Sequence, residues 1–435
     1  MMDSSYNTTA AIVSLMKEWW HTPRWLYTCH THATQLAKDE LEGADASRAT
    51  ATSQVRVLEP GLLDVIHPQG HVPFGGSFQR WEGIEYPASV GSHGYLAPAL
   101  GTTGQASSVW CRHRHPVHGA VLVRGDHQGP APESASAADV SEVLEILAES
   151  AGLDRWPQGM PLRVSVRQFD VPFSFSGGQL ARALCEKLQV VAGSPGENET
   201  VGHLFVTLWR NQLFWGFGRD KALFTRRMGG LIHYRREDLR YSRAAAKLLE
   251  AFEVFGLDGI WATDGHRFPP AQVSWQKGEL IAGQPTALDL GAAPGGWTGV
   301  LLAKGFGRVF AVDPAHLAEE LQGDPRVIHC REKAHELRLK RGSVDLMVCD
   351  ANWNMDAVVK TVNKLAPCLR SGAAVIVTLK LMGSYQKAEG MPDARQKVRE
   401  DVAKALELLK KEYKIMGLRQ LFHNRHELTA YLHRF

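Results

Sequence analysis

The stretch Asp289-Leu-Gly-Ala-Ala-Pro-Gly-Gly-Trp297 follows a short apolar run and precedes an apolar helical pattern. It therefore predicts a strand, a tight turn and a helix. Its three glycines have no Cβ atom, so the backbone can turn sharply and approach a ligand closely. The pattern is not the G-x-G-x-x-G of dinucleotide enzymes, and Pro294 disfavours a phosphate-binding helix start. We expect a nucleoside ligand without a pyrophosphate here; a purely structural turn is the alternative.

From residue 286 onward, short apolar runs alternate with helical patterns. Such alternation indicates an α/β domain whose parallel sheet is covered by helices on both faces. The predicted strands are Ala287–Leu290, Arg308–Val312, Val344–Val348 and Ala373–Leu379, and the predicted helices are Trp297–Lys304 and Pro392–Glu412. The runs Leu418–Phe422 and Leu428–Leu432 are expected to close the chain as an antiparallel pair.

Charged residues stand at the ends of several of these strands. Asp313, Asp350 and Lys380 each follow a predicted strand, and Glu427 immediately precedes the last one. In open α/β sheets, ligands bind at the carboxyl ends of the strands, so these side chains are expected to converge there. Taken singly, a lysine after an apolar strand is more often a solvated strand end, and Asp350 alone is also suited to cap the next helix.

These motifs resemble the FtsJ (RrmJ) family of RNA ribose 2′-O-methyltransferases. The resemblance rests on DLGAAPGGW, AVDP, VCDANW, VTLKL and HNRHELTAYL in that order, and on the upstream segment YSRAAAKLLEAF. It extends over residues 241–435, and the ending LRQLFHNRHELTAYLHRF is similar to the RlmM branch, which methylates a cytidine ribose of large-subunit rRNA. The resemblance implies a Rossmann-like methyltransferase domain with a seven-stranded, mostly parallel sheet. It also implies S-adenosyl-L-methionine (SAM) as methyl donor.

The Lys-Asp-Lys-Glu tetrad of that family falls on Lys247, Asp350, Lys380 and Glu427. A ribose hydroxyl is a poor nucleophile, so a base or a strong field at its oxygen is needed. We assign Lys380 as the base, with Asp350 and Glu427 orienting its amine and Lys247 positioning the hydroxyl or favouring its alkoxide character. No metal ion is expected. The implied donor site comprises Asp289, Gly291, Ala292, Pro294, Gly295, Gly296, Trp297, Asp313, Glu332 and Asp350.

Part of this donor site departs from the family pattern. Related enzymes usually present an acidic residue to the adenine after the third strand, where this sequence reads Cys330-Arg-Glu-Lys333. Glu332 is the candidate for that contact. Asp313, which is expected to hold the ribose hydroxyls, is followed by Pro314, which stiffens the loop without removing the contact.

The region before residue 235 predicts smaller α+β domains. The segment 128–138, QGPAPESASAA, has the composition of a linker. We therefore predict an N-terminal α+β domain over 1–127, an α+β RNA-binding module over 139–230 and the methyltransferase domain over 235–435. The family resemblance implies a THUMP-like or ferredoxin-like fold for the middle module. Its predicted elements are a helix at Val140–Leu147, a strand at Leu162–Phe169, a helix from the cap Ser176 to Leu188 and a hairpin around Arg210-Asn211.

Two further clusters carry weaker signals. Six arginines form a candidate RNA-binding surface, with Trp209, Trp215 and Tyr234 as possible stacking faces; the alternative is a solvated charged surface above core aromatics. The arginines are Arg226, Arg227, Arg235, Arg236, Arg240 and Arg243. The segments Cys111–His118 and Cys29–His32 contain soft metal ligands, but their spacing matches no standard zinc site, so an exposed basic loop near phosphate is preferred.

Composition sets broad limits on function. The 435 residues include 49 Lys plus Arg and 46 Asp plus Glu, a net charge of +3, which is too small to predict a polyanionic partner by itself. The 6 scattered cysteines form no C-x-x-C pair, which argues against a disulfide framework or a zinc ribbon. The N-terminus lacks a signal-peptide pattern, and no run of about 20 apolar residues is present. A cytoplasmic protein with neither a membrane association nor an obligate protein partner is expected.

The sequence thus predicts a SAM-dependent 2′-O-ribose methyltransferase that acts on RNA, with a cytidine of large-subunit rRNA as the expected target. One alternative is an enzyme of the same fold that methylates another RNA, a protein or a small molecule. Another is a non-catalytic RNA-binding factor that retains a nucleoside-shaped pocket, although a broken loop or a lost tetrad is then expected.

Overall fold

A computed structural model describes residues 24–43, 54–60, 62–66, 109–117, 119–123, 139–151, 153, 162–169, 175–189, 202–210, 212–219, 233–257, 285–381 and 383–435. The chain divides into two compact units. The first draws its described residues from 1–29, 41–73 and 113–230, and the second from 30–40, 74–112 and 231–435. In the part of the chain described, no helix is both long and apolar enough to cross a membrane.

The first half of the chain contributes eight of the described strands and three of the described helices. In chain order they are β1 (Arg24–Cys29), α1 (Thr34–Gly43), β2 (Gln54–Glu59), β3 (Leu62–Ile66), β4 (Cys111–Pro116), β5 (Gly119–Leu122), α2 (Val140–Ala151), β6 (Leu162–Phe169), α3 (Gly177–Lys187), β7 (Gly202–Trp209) and β8 (Gln212–Arg219).

These strands form two four-stranded sheets, with the orders β2-β3-β1-β4 and β5-β8-β7-β6. Helices α2 and α3 pack their apolar sides on the second sheet, around residues such as Leu147, Leu184 and Leu204. The predicted helix after Ser176 is confirmed, because the Ser176 hydroxyl accepts from the amide of Gln179 and the Gln179 side chain accepts from the amide of Ser176. The hairpin predicted around residue 210 is also present.

The structure divides the N-terminal half differently from the predicted domains. Strand β5 lies before the predicted linker at 128–138, yet it pairs with β8 in the second sheet. Residues 30–40 belong to the second unit, where the Asp39 carboxylate pairs with Arg395 and Arg399. Composition could not reveal either feature, because both depend on partners more than 90 residues away in the chain.

The second unit contains the elements from residue 245 onward. In chain order they are α4 (Ala245–Val254), β9 (Thr286–Leu290), α5 (Gly296–Ala303), β10 (Arg308–Val312), α6 (Glu319–Gln322), β11 (Val327–Cys330), β12 (Val344–Cys349), α7 (Met355–Leu365), β13 (Leu369–Lys380), α8 (Gly383–Lys387), α9 (Pro392–Leu409), β14 (Tyr413–Arg419) and β15 (Glu427–Arg434).

Strands β9 to β15 form one seven-stranded sheet in the order β11-β10-β9-β12-β13-β15-β14. β9 to β13 pair in parallel, whereas β15 is antiparallel to both of its neighbours. Every residue of β9 and β12 is buried, as expected for strands covered on both faces. The strand order reverses between β9 and β12, and this switch point is where open α/β sheets bind ligands. The predicted sheet is confirmed.

One predicted element is displaced. The sequence predicts the first strand of the closing pair at 418–422, whereas the structure has β14 at Tyr413–Arg419. The helix before it ends at Leu409 rather than at Glu412. Residues 420–426 instead form the turn between β14 and β15. Within this turn, the Asn424 side chain accepts from the amide of Leu421 and the hydroxyl of Thr429, which satisfies polar groups that a strand would have paired with a neighbour.

Candidate active site

The glycine loop, defined here as residues 291–295, leaves β9 and enters α5. Gly291 and Gly295 have backbone φ angles of +78° and +116°, which residues other than glycine rarely adopt. A Cβ atom on Gly291 would lie 2.8 Å from Cα of Ala351, and one on Gly295 would lie 2.0 Å from Cδ1 of Leu321. The glycines are therefore required by close packing of the protein against the loop, in addition to any close approach of a ligand.

Two residues of the predicted donor site are buried and make hydrogen bonds within the protein. Asp289 is 1% exposed, and its carboxylate accepts from the Thr298 hydroxyl at 2.7 Å. Burial raises the pKa of Asp289 to about 7, although the bond from Thr298 opposes this rise. Trp297 is 4% exposed, and its indole N–H donates to the Ala244 carbonyl at 2.8 Å. Both side chains thus hold the loop and its neighbours in place.

Asp313 directly follows β10, and its carboxylate faces the glycine loop. One oxygen accepts from the Ala315 amide at 2.8 Å, and the other accepts from the Ala293 amide at 3.2 Å. A carboxylate offers about four lone-pair sites, so two hydrogen bonds leave capacity for a ribose diol. Glu332 lies just beyond the end of β11, the strand next to β10, and is partly exposed. The loop and these two carboxylates fit a nucleoside.

The four tetrad residues meet at the neighbouring strand ends. Lys380 and Glu427 are directly opposite each other in the β13–β15 pair, and Asp350 follows β12. The Lys380 ammonium lies 2.8 Å from Asp350 and 3.8 Å from Glu427. Lys247, on α4, contacts Asp350 at 3.2 Å and also pairs with Glu427. Two lysines and two carboxylates thus form one ion-pair network.

This network is partly buried, since the exposed fractions of its side chains are 16% for each lysine, 11% for Asp350 and 8% for Glu427. Burial alone would lower the pKa of Lys247, but the adjacent carboxylates outweigh burial and raise it. Lys247 therefore stays an ammonium at neutral pH. The formal charges of the two lysines and two carboxylates cancel within the network.

Thr378 is a member of this network that sequence reasoning missed. Its hydroxyl donates to Asp350 Oδ1 at 2.8 Å, the same oxygen that Lys380 contacts. Successive side chains of a strand alternate between faces, so Thr378 and Lys380 lie on the same face of β13. The spacing of two residues between Thr378 and Lys380 was therefore the feature of the sequence from which this contact could have been predicted.

Glu250 is a second residue that the sequence analysis missed, and it stabilises the segments that carry Lys247 and Glu427. It lies one helical turn after Lys247 on α4 and is 3% exposed. Its carboxylate accepts from the amides of Phe422 and His423 at 2.6 and 2.9 Å, and contacts His423 Nδ1 at 2.9 Å. Glu250 therefore joins the helix of Lys247 to the turn that leads into Glu427.

Comparison with known proteins identifies this part of the chain. The family model described as FtsJ-like methyltransferase matches residues 240–419. We call residues 240–419 the FtsJ-like domain, after the family model that they match. The match covers Lys247, Asp350 and Lys380, while Glu427 lies beyond its end. The match agrees with the family resemblance that the sequence motifs indicate for this part of the chain.

Relatives of the FtsJ-like domain carry a consistent name. The chain is 34% identical over 208 residues to Ribosomal RNA large subunit methyltransferase M of Laribacter hongkongensis, covering 47% of this chain and 51% of that protein. It is 26% identical over 272 residues to the protein of the same name from Idiomarina loihiensis, covering 61% and 63%. The chain thus matches only about half to three fifths of the length of these relatives. Among solved structures, TrmN from Thermus thermophilus is 13% identical with a TM-score of 0.31, covering 95% of this chain and 100% of that one.

The predicted basic cluster lies at the start of the FtsJ-like domain. Arg235, Arg236, Arg240 and Arg243 are exposed, whereas Arg226 and Arg227 lie outside the described residues. Arg235 pairs with Glu237 at 3.1 Å, and Arg240 pairs with Glu320 at 3.0 Å. These acidic partners reduce the local positive field that sequence reasoning expected.

Two weaker hypotheses concern the aromatic stacking faces and the metal ligands in the Cys/His segments. Trp215 is 8% exposed in the core of the second sheet, where its indole donates to Ser150, so it is a core aromatic rather than a stacking face. Cys29 and Cys111 are buried thiols. Among the residues that the structure describes, no group of three or more His, Cys, Asp or Glu side chains is placed to hold a metal ion.

Proposed function

We propose that this protein transfers the methyl group of SAM to the 2′-hydroxyl of a ribose in RNA, and that its target is a cytidine of large-subunit rRNA. The observation that supports this most is the meeting of Lys247, Asp350, Lys380 and Glu427 beside the glycine loop. The names of the relatives support the choice of rRNA.

SAM, when bound, supplies an electrophilic methyl group on a sulfonium centre. Its ribose diol is assigned to Asp313, its adenine to Glu332, and its methionine part to the glycine loop and Asp350. Since Asp289 and Trp297 are buried and hydrogen-bonded within the protein, we assign them to support of the loop rather than to donor contact. This division separates the residues that bind the donor from those that shape its site.

Lys380 is assigned as the base that takes the proton of the ribose hydroxyl. Lys247 contacts both carboxylates closely and has a raised pKa, so it is suited to stay charged and to stabilise negative charge that develops on the ribose oxygen. Lys380 contacts Asp350 closely but lies 3.8 Å from Glu427. Its ammonium therefore makes the longer contact with Glu427, and we assign this less tightly held amine to the proton transfer.

The rest of the chain is assigned to RNA binding. We propose the first unit, which has two four-stranded sheets with helices packed on one of them, as the RNA-binding region, with a THUMP-like module as the specific hypothesis. The exposed arginines at 235–243 are proposed to contact phosphates. A cytoplasmic location is part of the proposal, because the expected substrate is rRNA that has not yet been assembled.

The test measures transfer of labelled methyl from SAM to RNA by the purified full chain. Wild type is compared with Lys380→Ala and with Lys387→Ala, an exposed lysine on α8 outside the tetrad. We expect Lys380→Ala to slow transfer by about 10³-fold, since general-base catalysis contributes about 10² to 10⁴, while SAM affinity and the Lys387→Ala rate stay unchanged.

Mapping of 2′-O-methylation in total RNA from cells with and without the protein then identifies the target nucleotide. Label on protein or small molecules alone would overturn the RNA proposal, and a full rate for Lys380→Ala would overturn the assignment of the base.

A further inference from the structure

Four aromatic side chains from two distant segments of the second unit lie in contact with one another. They are His233, Tyr234, Phe422 and His423, and we call them the aromatic corner. The ring centres of His233 and Phe422 are 6.5 Å apart. Those of Tyr234 and His423 are 5.4 Å apart, and Phe422 also contacts His423 at 5.1 Å. The corner therefore joins the segment before α4 to the turn between β14 and β15.

The aromatic corner is attached to the helix that carries one of the tetrad lysines. The backbone amides of Phe422 and His423 donate to Glu250, which lies one helical turn after Lys247 on α4. The turn that carries both rings then leads into Glu427, which pairs with Lys247. The corner thus lies next to the tetrad, on the side of the sheet that α4 covers.

The chemistry of methyl transfer sets the direction from which RNA approaches. The attacking oxygen must reach the methyl carbon from the side opposite to the sulfur, in line with the bond that breaks. The proposed donor site lies at the ends of β10, β9 and β12, whereas β15 lies beyond β13 in the order of the sheet. RNA that presents a hydroxyl to the tetrad is therefore expected to extend towards β15 and the aromatic corner.

His233 has the ring of the corner that is best placed for a ligand. It is exposed, whereas the other three residues are partly exposed. Its contact with Phe422 is edge-to-face, with an interplanar angle of 75°, and covers at most one face of the imidazole. Arg236, three residues later in the chain, is also exposed. An exposed ring face near a cation suits an unpaired base and a phosphate of the same strand.

We propose that the imidazole of His233 stacks on an unpaired base within a few nucleotides of the one that is methylated. Phe422 holds the imidazole in place, and Arg236 contacts a phosphate of the same strand. The inference rests on the proposed function and extends it to a second nucleotide of the RNA. It makes His233 an RNA-binding residue that acts outside the tetrad.

The test uses transcripts of the large-subunit rRNA segment around the mapped nucleotide, each lacking one base at a position near that nucleotide. Wild type is compared with His233→Ala and with His233→Phe, which keeps an aromatic ring. The matched control is His335→Ala. His335 is an exposed histidine between β11 and β12, where its carbonyl accepts from Lys364 in the last turn of α7. The dissociation constants of the transcripts and of SAM are measured, with methyl transfer to the intact transcript in parallel.

We expect His233→Ala to weaken binding of the intact transcript about tenfold, since stacking of one base contributes an effect of this size. His233→Phe and His335→Ala should bind like wild type, and SAM affinity should be the same in all four proteins. Removal of the stacked base should weaken binding by wild type about tenfold and should not weaken binding by His233→Ala further.

The inference is overturned if His233→Ala binds the intact transcript as wild type does, or if every base removal affects the two proteins equally. It is also overturned if His233→Phe fails to restore affinity, because the contribution of His233 would then not be stacking. Each of these results leaves the methyltransferase proposal intact, since transfer to the intact transcript is measured separately. An absence of transfer to any RNA by wild type, with SAM bound, overturns both.

Discussion

The two sides of the switch point hold their carboxylates in different ways. On the donor side, Asp289 and Asp313 accept hydrogen bonds from neutral groups, namely a threonine hydroxyl and backbone amides. On the acceptor side, Asp350 and Glu427 pair with two ammonium groups. Neutral donors satisfy the oxygens but do not offset the cost of burying their charge, whereas cations offset much of it.

This difference shows what each side is built for. The donor side fixes a backbone shape around a ligand that has its own charge. In the proposed mechanism, the acceptor side instead concentrates opposite charges where the proton of the ribose hydroxyl leaves and negative charge develops. The comparison predicts that changes on the donor side affect binding or stability, and that changes on the acceptor side affect the chemical step.

The largest expected effect concerns Asp289. Its pKa rises from 3.8 to about 7 in the folded protein, so the native state binds a proton that the unfolded chain releases between these pH values. Stability from this group is therefore greatest below pH 4 and is lost as the pH rises to 7. The loss is on the order of 4 kcal/mol, at about 1.4 kcal/mol for each pH unit.

Asp289→Asn should escape this loss, because the amide oxygen can still accept from Thr298. The free energy of unfolding is measured in urea from pH 5 to pH 8 for both proteins. The value for Asp289→Asn minus the value for wild type should increase as the pH increases. A constant difference between the two proteins across this range would show that the donor side does not bear an uncompensated charge.

The second effect concerns Glu250, whose carboxylate is the acceptor for two backbone amides and for His423. Glu250→Ala leaves these donors without it, which should cost about 3 kcal/mol of unfolding free energy. The turn before Glu427 should also shift, so kcat should fall while SAM affinity stays the same.

Glu250→Gln is the matched variant, since it keeps one acceptor oxygen and should restore part of both losses. If Glu250→Ala weakens SAM binding as strongly as it slows methyl transfer, the prediction that acceptor-side changes affect only the chemical step is wrong.

The smallest effect concerns Asp313. Asp313→Ala removes the proposed ribose acceptor and the bond that holds the Ala293 amide. SAM affinity should fall about tenfold, while kcat at saturating SAM should change little, because the contact is present equally in the ground and transition states. Titration of SAM binding by calorimetry and rates at saturating donor give the two quantities. A lowered kcat with normal affinity would contradict the assignment.

Sequence reasoning succeeded where a local pattern decides the structure. The glycine loop and the strands around it were found because buried apolar runs and glycines mark strand ends directly. The pattern also predicted that Asp350 and Lys380 lie close together, because residues after parallel strands gather at one edge of a sheet whatever their distance in the chain.

Hydrogen bonds between side chains and distant partners could not be predicted. The indole N–H of Trp297 donates to Ala244, a residue 53 positions earlier. Glu250 was overlooked because its partners are 172 and 173 positions later. No periodicity records such pairs, since each is set by tertiary packing.

The bond from the Trp297 indole to the Ala244 carbonyl has a dynamic consequence. It ties the first turn of α5 to the residue before α4, and α4 carries Lys247. Opening of one segment must therefore break a bond to the other, so their amide hydrogens should exchange with solvent as a single cooperative unit. A chain that has not yet formed the segment after the glycine loop would then also lack a correctly placed Lys247 amine.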